Sequence, residues 1–428
     1  MATETMHGTL ADVFVLRCGG TPQKSKFDYW YGDIPWLTPK DMANWTGDTQ
    51  DHVTAEAIGN GTRLGAEDAI FIAVRGMSLH KEIRIVRPRS AIAFNQDVKA
   101  LEPKDGENGE FLYYWLLSEK PRLLSLVDAA GHGTGRLATD RLEALSLPPL
   151  DDGQRSAATE LLSALDRKIE LLRKSISTTE AIIRTVFKAW FVDFLPVRAK
   201  AAGAASFRGV PQDVFDALPD GFEDSEIGEV PRGWEVGPVE RLIDFNPKLS
   251  IKKGVAVEHL SMSDLPTDGP IHEEPSRKAF TSGAKFENDD TLLARITPCL
   301  ENGKAAFVFG LDGTAFGSTE FIVLRPKPEV PSAFAYALAR NDAFRDHAIR
   351  NMTGTSGRQR VSAEALQSYK IAEPSSKVLT AFADATDPLL STIVNAAQQM
   401  RTLTSLRDTL LPKLMSGELT APPLPTDG

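Results

Sequence analysis

Between residues 154 and 191 apolar side chains return with alternating steps of three and four. Leu162, Leu165, Ile169, Leu172, Ile176, Thr179, Ile183, Val186 and Trp190 mark the run, with one polar member and no Gly or Pro inside it. This is the a/d seam of a heptad helix. Asp151 and Asp152 precede it as N-terminal caps, and Glu160 adds an early acid. At about 1.5 Å per residue the helix would extend roughly 57 Å. So narrow a stripe on so long a rod requires a partner helix. A second run, 377–419, offers one: Leu379, Phe382, Leu389, Ile393, Ala396, Met400 and Leu403 keep heptad spacing, with Thr386 in the remaining slot. Pro388 and Pro412 are expected to kink or bound it, and its seam changes step near Leu406.

The regions flanking these helices read differently. Residues 1–150 alternate short β-like runs (12–17, 33–39, 68–76, 90–95) with Gly/Pro turns, then a helical stretch, 111–127, interrupted by Pro121. Residues 195–227 are rich in Pro, Gly and Ala and read as a connector. A second mixed region covers 228–374, and 421–428 is a tail. The predicted organisation is therefore 1–150, a helix at 151–194, a linker at 195–227, 228–374, a helix at 375–420, and the tail.

Comparing the halves exposes a tandem repeat at an offset of 222 to 224 residues. WLTPKDM (36–42) matches HLSMSDL (259–265), and DAIFIAVRGMSLHK (68–81) matches DTLLARITPCLENGK (290–304). AFNQDVKALEP (93–103) matches AFGSTEFIVLRP (315–326), FLYYWLLSEKPR (111–122) matches FAYALARNDAFR (334–345), and GHGTGR (131–136) falls on TSGR (355–358). Apolar positions are kept while exposed residues differ, as expected of two similar scaffolds that read two different things. The pattern leaves open whether the helices pair antiparallel or parallel.

Composition narrows the class. The 428 residues are 42% hydrophobic and 25% charged, ordinary for a globular protein. The start has neither a basic region nor an apolar run, and nothing approaches a membrane span, so a cytoplasmic protein is expected. Cys18 and Cys299 are too few for a disulfide framework. A net charge of −10 argues against nucleic acid only weakly, because the clustering of basic residues decides.

Such a cluster is RGMSLHKEIRIVRPR (75–89), with Arg75, His80, Lys81, Arg84, Arg87 and Arg89 against Glu82. Arg and Lys neutralise phosphates, and Arg can also grip guanine bidentately. Its counterparts are Arg295, Thr297, Lys304, Arg358, Gln359 and Arg360, where Gln359 has the paired donor and acceptor that suit adenine. GHGTGR, ending at Arg136, offers backbone N–H groups to a phosphate, and Gln23 and Lys24 lie in a basic turn. Each reading competes with a plain solvated turn or strand face. The aromatic stretch FDYWYGDIPW (27–36) reads as packed rings rather than base-stacking ones. Phe187, Trp190, Phe191 and Phe194 at the helix end pack on their own domain or anchor a partner, as do Leu410 and Leu414 on the second helix. No Walker A, GxSxG, HExxH or [DNS]PP[YF] motif occurs, so neither a nucleotide-driven motor nor a methyltransferase centre is expected here.

The stretches LDRKIELLRKSISTTEAIIRTVFKAWFVDFLPVRAK (165–200), LRDTLLPKLMSGEL (406–419), DIPWLTPKDM (33–42), LLARITPCLENGK (292–304) and TSGRQRV (355–361), together with the order globular region, helix, globular region, helix, resemble the specificity subunits of type I restriction–modification systems. The entry DSEIGEVPRGWEV (224–236) resembles them too, whereas the first unit begins at MHGTLADV without the PxGW element. The resemblance implies an α+β fold: two mixed target recognition domains separated by two long antiparallel coiled-coil helices. It implies a non-catalytic subunit in which each domain reads one half of a bipartite site on double-stranded DNA. The helices would space the halves and dock two methyltransferase subunits, with restriction subunits joining. S-adenosylmethionine would sit in the methyltransferase partner, and ATP and Mg in the restriction partner. The rival readings are an enzyme with unrecognised motifs and a non-DNA coiled-coil scaffold.

Overall fold

A computed structural model describes residues 8–422, apart from 46, 131, 132 and 356. The first long helix is Asp152–Phe191 and the second Ser376–Met415, each of 40 residues. Asp151 opens the first by reciprocal capping. Its carboxylate accepts from the Gln154 N–H at 2.8 Å, while the Gln154 amide oxygen accepts from the Asp151 N–H at 3.1 Å. Leu162, Ile169, Leu172, Ile176, Thr179, Ile183 and Trp190 are buried. Phe187 replaces Val186 as the buried residue after Ile183, and Leu390 replaces Leu389 after Thr386, so both seams slip by one residue. Of the two outcomes expected of Pro388 and Pro412, a kink or a boundary, neither proline bounds the second helix, which runs through both. The carbonyls they leave without an N–H belong to exposed Asp384 and Asp408, where water can satisfy them.

The chain divides into two units, residues 1–169 with 402–428, and residues 170–401. The division falls inside both long helices rather than in the connector, because each helix portion packs on the sheet domain of its own unit. In the first unit Ala158 and Leu162 share a core with Leu411, Leu414 and Met415. Farther along, Arg407 donates to Asp166 at 2.7 Å. The advance along one helix matches the retreat along the other, so these segments run antiparallel.

The first unit contains β1 (Phe14–Cys18), β2 (Trp30–Leu37), β3 (His52–Val53), β4 (Arg63–Leu64), β5 (Ile70–Ala73), β6 (Arg75–Gly76), β7 (Ile85–Val86), β8 (Ala93–Phe94), β9 (Val98–Pro103), β10 (Val127–Ala130) and β11 (Thr134–Leu137). They form sheets of order β1-β9-β5-β7, β3-β2-β8-β4 and β10-β11-β6. β5 is buried on both faces, which explains its unbroken apolar sequence. Ile70 and Ile72 point into the core shared with the helices, while Phe71 and Ala73 point into a second core with Leu37, Phe94 and Val98. Pro121 ends no fold element but starts one: helix Gly109–Ser118 stops, and Lys120–Ser125 begins with the proline in its first turn.

The second unit contains β12 (Phe222–Ser225), β13 (Gly228–Pro231), β14 (Val236–Pro238), β15 (Ile243–Phe245), β16 (Ala256–Leu260), β17 (Ser276–Ala279), β18 (Ala284–Phe286), β19 (Thr291–Ala294), β20 (Ala305–Phe307), β21 (Ala315–Gly317), β22 (Phe321–Pro326) and β23 (Lys370–Ala372). Its two four-stranded sheets run β15-β22-β19-β20 and β17-β16-β21-β18. These orders are those of the first unit, down to a parallel pair, β2 with β8 and β16 with β21, among antiparallel neighbours. The stretch 195–227 is not an unstructured connector. It holds helices Leu195–Ala201 and Gln212–Ala217 and half of a hairpin, and it buries Val197, Val214, Phe215 and Leu218.

Candidate nucleic-acid interface

In the first unit β11 lies between β10 and β6, and this pairing sets Arg136 directly across from Arg75. The close approach depends on Gly135, where a Cβ would stand 2.9 Å from Cβ of Leu79 and 3.1 Å from Val127 Cγ1. The 3-10 turn Met77–His80 follows, pinned by buried Leu79, so that Met77 and His80 project outward with Lys81. Arg75, His80, Lys81 and Arg136 are all exposed, and none makes an ion pair or side-chain hydrogen bond among the described residues. Two adjacent guanidiniums with no acid to neutralise them repel each other, and an anion between them relieves that repulsion. Gly131 and His132 of the GHGTGR motif lie outside the described residues.

The other first-unit candidates divide. Arg84 is not available as a DNA contact: it donates to the Pro39 carbonyl at 2.6 Å and to Glu82 at 2.7 Å. Arg87 is held by Asp68 at 2.8 Å. Gln23 donates to Ser25 at 3.0 Å, whereas Lys24 is exposed and unpaired. Of the aromatic stretch, Trp36 is buried and meets Trp30 edge-on at 5.1 Å. Tyr31 does not pack as expected but is 85% exposed, and Phe27 is 73% exposed.

The second unit has the same corner with other chemistry. The Val74 N–H donates to Asp97 O and the Leu137 N–H to Val74 O; correspondingly the Arg295 N–H donates to Glu320 O and the Val361 N–H to Arg295 O. Arg360 bridges to Ile296 on one side and Thr353 on the other, as Arg136 pairs with Arg75 and Asp128. Arg136 therefore corresponds to Arg360, two residues beyond the Arg358 that the sequence match suggests. Glu320 accepts from Arg360 at 2.8 to 3.0 Å through both carboxylate oxygens and stands 4.0 Å from Arg295. The hydrogen bonds from Arg360 hold the Glu320 carboxyl below its ordinary range. Arg360 is thus occupied internally, while Arg295 lies beside the same carboxylate with its Nε buried and without a hydrogen bond. Lys304 is also tied, donating to the Met262 carbonyl at 2.8 Å. Thr297 latches the Gln359 backbone: its hydroxyl accepts from the Gln359 N–H at 3.1 Å. Arg358 stays exposed and unpaired, and the Gln359 side chain is half-buried.

Three cations escaped the sequence reading. Lys252 and Lys253 occupy an exposed turn closed by the Gly254 N–H donating to Phe280 O at 2.9 Å. Lys278 sits on β17 opposite Val257. The doublet at 252–253 is visible in the sequence, but only the hairpin brings Lys278 beside it. Burial, and after it the charge of Lys278, holds His259 below the usual histidine range.

Of the residues expected at a partner surface, Phe187, Trp190 and Leu414 lie inside, while Phe191 and Leu410 are half-buried. Phe187 and Trp190 are buried, and Phe187 and Phe191 meet Phe334 at 5.1 Å and Phe382 at 6.4 and 5.0 Å. Leu414 is buried in the first unit's core and Leu410 packs against it. Satisfying the helix seams and the domain cores consumes this apolar surface. Among the described residues no group of three His, Cys, Asp or Glu could hold a metal ion, both cysteines are free, and no helix is long and apolar enough to cross a membrane.

Residues 3–181 match the family model of the type I restriction modification DNA specificity domain. The chain is 26% identical over 427 residues to the type I restriction enzyme MjaIX specificity subunit of Methanocaldococcus jannaschii, covering 96% of this chain and 92% of that one. It is 22% identical over 357 residues to the HindI specificity subunit of Haemophilus influenzae, covering 72% and 77%. Its fold is similar to the crystal structure of the S subunit of a type I restriction-modification system from M. genitalium, with a TM-score of 0.55 and 15% identity over 96% of both chains.

Proposed function

We propose that the chain is a non-catalytic specificity subunit of the type I restriction–modification kind, in which each unit reads one half of a bipartite site on double-stranded DNA. The observation that carries this reading is the shared sheet order with opposite charge accounting at one corner: Arg75 and Arg136 free in the first unit, Arg295 and Arg360 held by Glu320 in the second. In the first unit the free guanidiniums take phosphates or a guanine edge. In the second, Arg358, Lys252, Lys253 and Lys278 supply the phosphate contacts, and Gln359 supplies a base contact. The two long helices form an antiparallel coiled coil that sets the distance between the half-sites. They also dock two methyltransferase subunits, which bring S-adenosylmethionine. Restriction subunits, with ATP and Mg, complete the assembly in the cytoplasm.

Heptad insertion tests the reading. Adding seven residues to each long helix lengthens the rod by about 10 Å, close to three base pairs at about 3.4 Å each. The methylated motif in cells carrying the variant is expected to keep both half-sites and to gain spacer. An unchanged spacer overturns the ruler. Methylation by the purified chain alone would favour an enzyme, and loss of no methylated motif on gene deletion would favour a scaffold.

A further inference from the structure

The loop entering β2 sorts its own side chains into anchored and free. Trp30 Nε1 donates to the Gln23 carbonyl at 3.3 Å and Trp36 Nε1 to the Gly20 carbonyl at 3.1 Å. Lys26 donates to the Tyr29 hydroxyl at 2.7 Å and lies 4.1 Å from the centre of its ring. Left over are Lys24, Phe27 and Tyr31. β2 bulges between Trp30 and Ile34, and Gly32 lets it cross against β3, since a Cβ there would stand 2.4 Å from Val53 O. Within the bulge Tyr31 takes φ 63°, a left-handed conformation that a bulky residue adopts only under strain. This backbone turn directs the ring into water rather than into the core. Tyr31 and Phe27 border a cavity of about 340 Å³, together with Lys24, Trp30, Gln50 and Asp51.

We infer that this cavity receives one DNA base unstacked from the first half-site, its face against Tyr31 or Phe27 and its flanking phosphate on Lys24. The inference rests on the DNA-reading function proposed above. Exposed aromatic rings offer a face to any base, and polar groups at Gln50 and Asp51 can meet a base edge. The volume falls in the range of small-ligand pockets, roughly 300–1,000 Å³. An unpaired lysine beside two exposed rings suits a negatively charged strand better than an apolar protein surface. The corresponding loop of the second unit, 246–255, carries Lys248, Lys252 and Lys253 and no aromatic after Phe245, so the device belongs to one half-site only.

The test uses the full chain assembled with its methyltransferase partner and a cognate duplex carrying 2-aminopurine, moved one position at a time through the first half-site, excluding the adenine that is methylated. Fluorescence is expected to rise several-fold at one position. Tyr31→Gly, which removes the ring and relieves the left-handed strain, and Phe27→Ala are expected to abolish that rise, while Tyr31→Phe keeps it. The ring-less variants should bind the intact duplex about tenfold more weakly, and bind a duplex abasic at that position as the wild type does. Sequence-specific binding with no brightened position overturns the inference and leaves DNA reading intact. So does loss of the methyltransferase partner by these variants with fluorescence unchanged, which assigns the rings to a protein contact. Absence of sequence-specific binding by the wild-type assembly overturns the underlying reading as well.

Discussion

In the first unit Arg75 and Arg136 face each other across β6 and β11 with no acid bound to either; in the second, Ile296 and Arg360 hold those places, and Glu320 closes on Arg360 and Arg295. The backbone hydrogen bonds around the two corners correspond one for one. What differs is the acid before the last strand of the sheet pair. Asp97 forms no ion pair among the described residues, whereas the longer Glu320 reaches both arginines. A single scaffold therefore yields one corner with charge to spend on a ligand and one whose charge is already neutralised. Duplicated frames can diverge in specificity in this way without altering their cores.

The comparison breaks most visibly if the free pair is removed. Arg75→Ala with Arg136→Ala should weaken binding of the assembled complex to its site by about 4 kcal/mol, near a thousandfold, and flatten the salt dependence by about two phosphates. A titration across salt concentrations measures both; an unchanged slope would show that the pair meets no phosphate.

A second contrast is protonation. The second unit buries His272 against Phe309 and Arg401, and burial holds its pKa at about 4, below the ordinary 6.5. The neutral form is the native one, so this stability is present above pH 6.5 and is lost as pH falls towards 4. At about 1.36 kcal/mol per pKa unit the loss approaches roughly 3 kcal/mol. Among the described residues the first unit has no buried histidine. Amide exchange is expected to accelerate in β20 but not in β5 over this range, and His272→Gln should remove the difference.

The phenol contacts to the first long helix give a smaller contrast. Tyr336 donates to Glu180 at 2.7 Å, where both groups are buried, and Tyr114 donates to Asp166 at 2.9 Å, which is half-exposed. Removing the donor takes the hydrogen bond from a buried carboxylate only in the second unit, where Glu180 is left with Arg184 at 3.7 Å. Tyr336→Phe should cost about 2 kcal/mol and Tyr114→Phe about 1 kcal/mol, read by denaturant unfolding.

Smallest is Glu320→Gln. It frees Arg360 and Arg295 and should steepen the salt dependence of DNA binding by about one phosphate, with little change in stability because the Arg360 side chain is 40% exposed and solvent screens the pair. Glu320 has a lowered native pKa, so the ion pair's contribution is present above pH 4.5, the ordinary value, and is lost as pH falls through the lowered one. The variant should lack that acid-side loss.

Sequence alone determined the long helices, the first part of each seam and most of the tandem matches, because heptad and strand periodicity are local and residues such as Leu162, Ile70 and Leu292 must be buried wherever they go. It also marked Arg75, Arg136 and the cluster around Arg358, since charge density needs no fold to be seen. Tertiary structure decided which of these charges are free. Whether Arg84 meets water or the Pro39 carbonyl, and whether Arg360 meets DNA or Glu320, depends on partners 45 and 40 residues away. Likewise Pro388 was tolerated because its orphaned carbonyl faces solvent, and Tyr31 was expelled from the core by a bulge no periodicity announces. Local patterns specify what must be buried; pairing across the chain specifies what is left to bind.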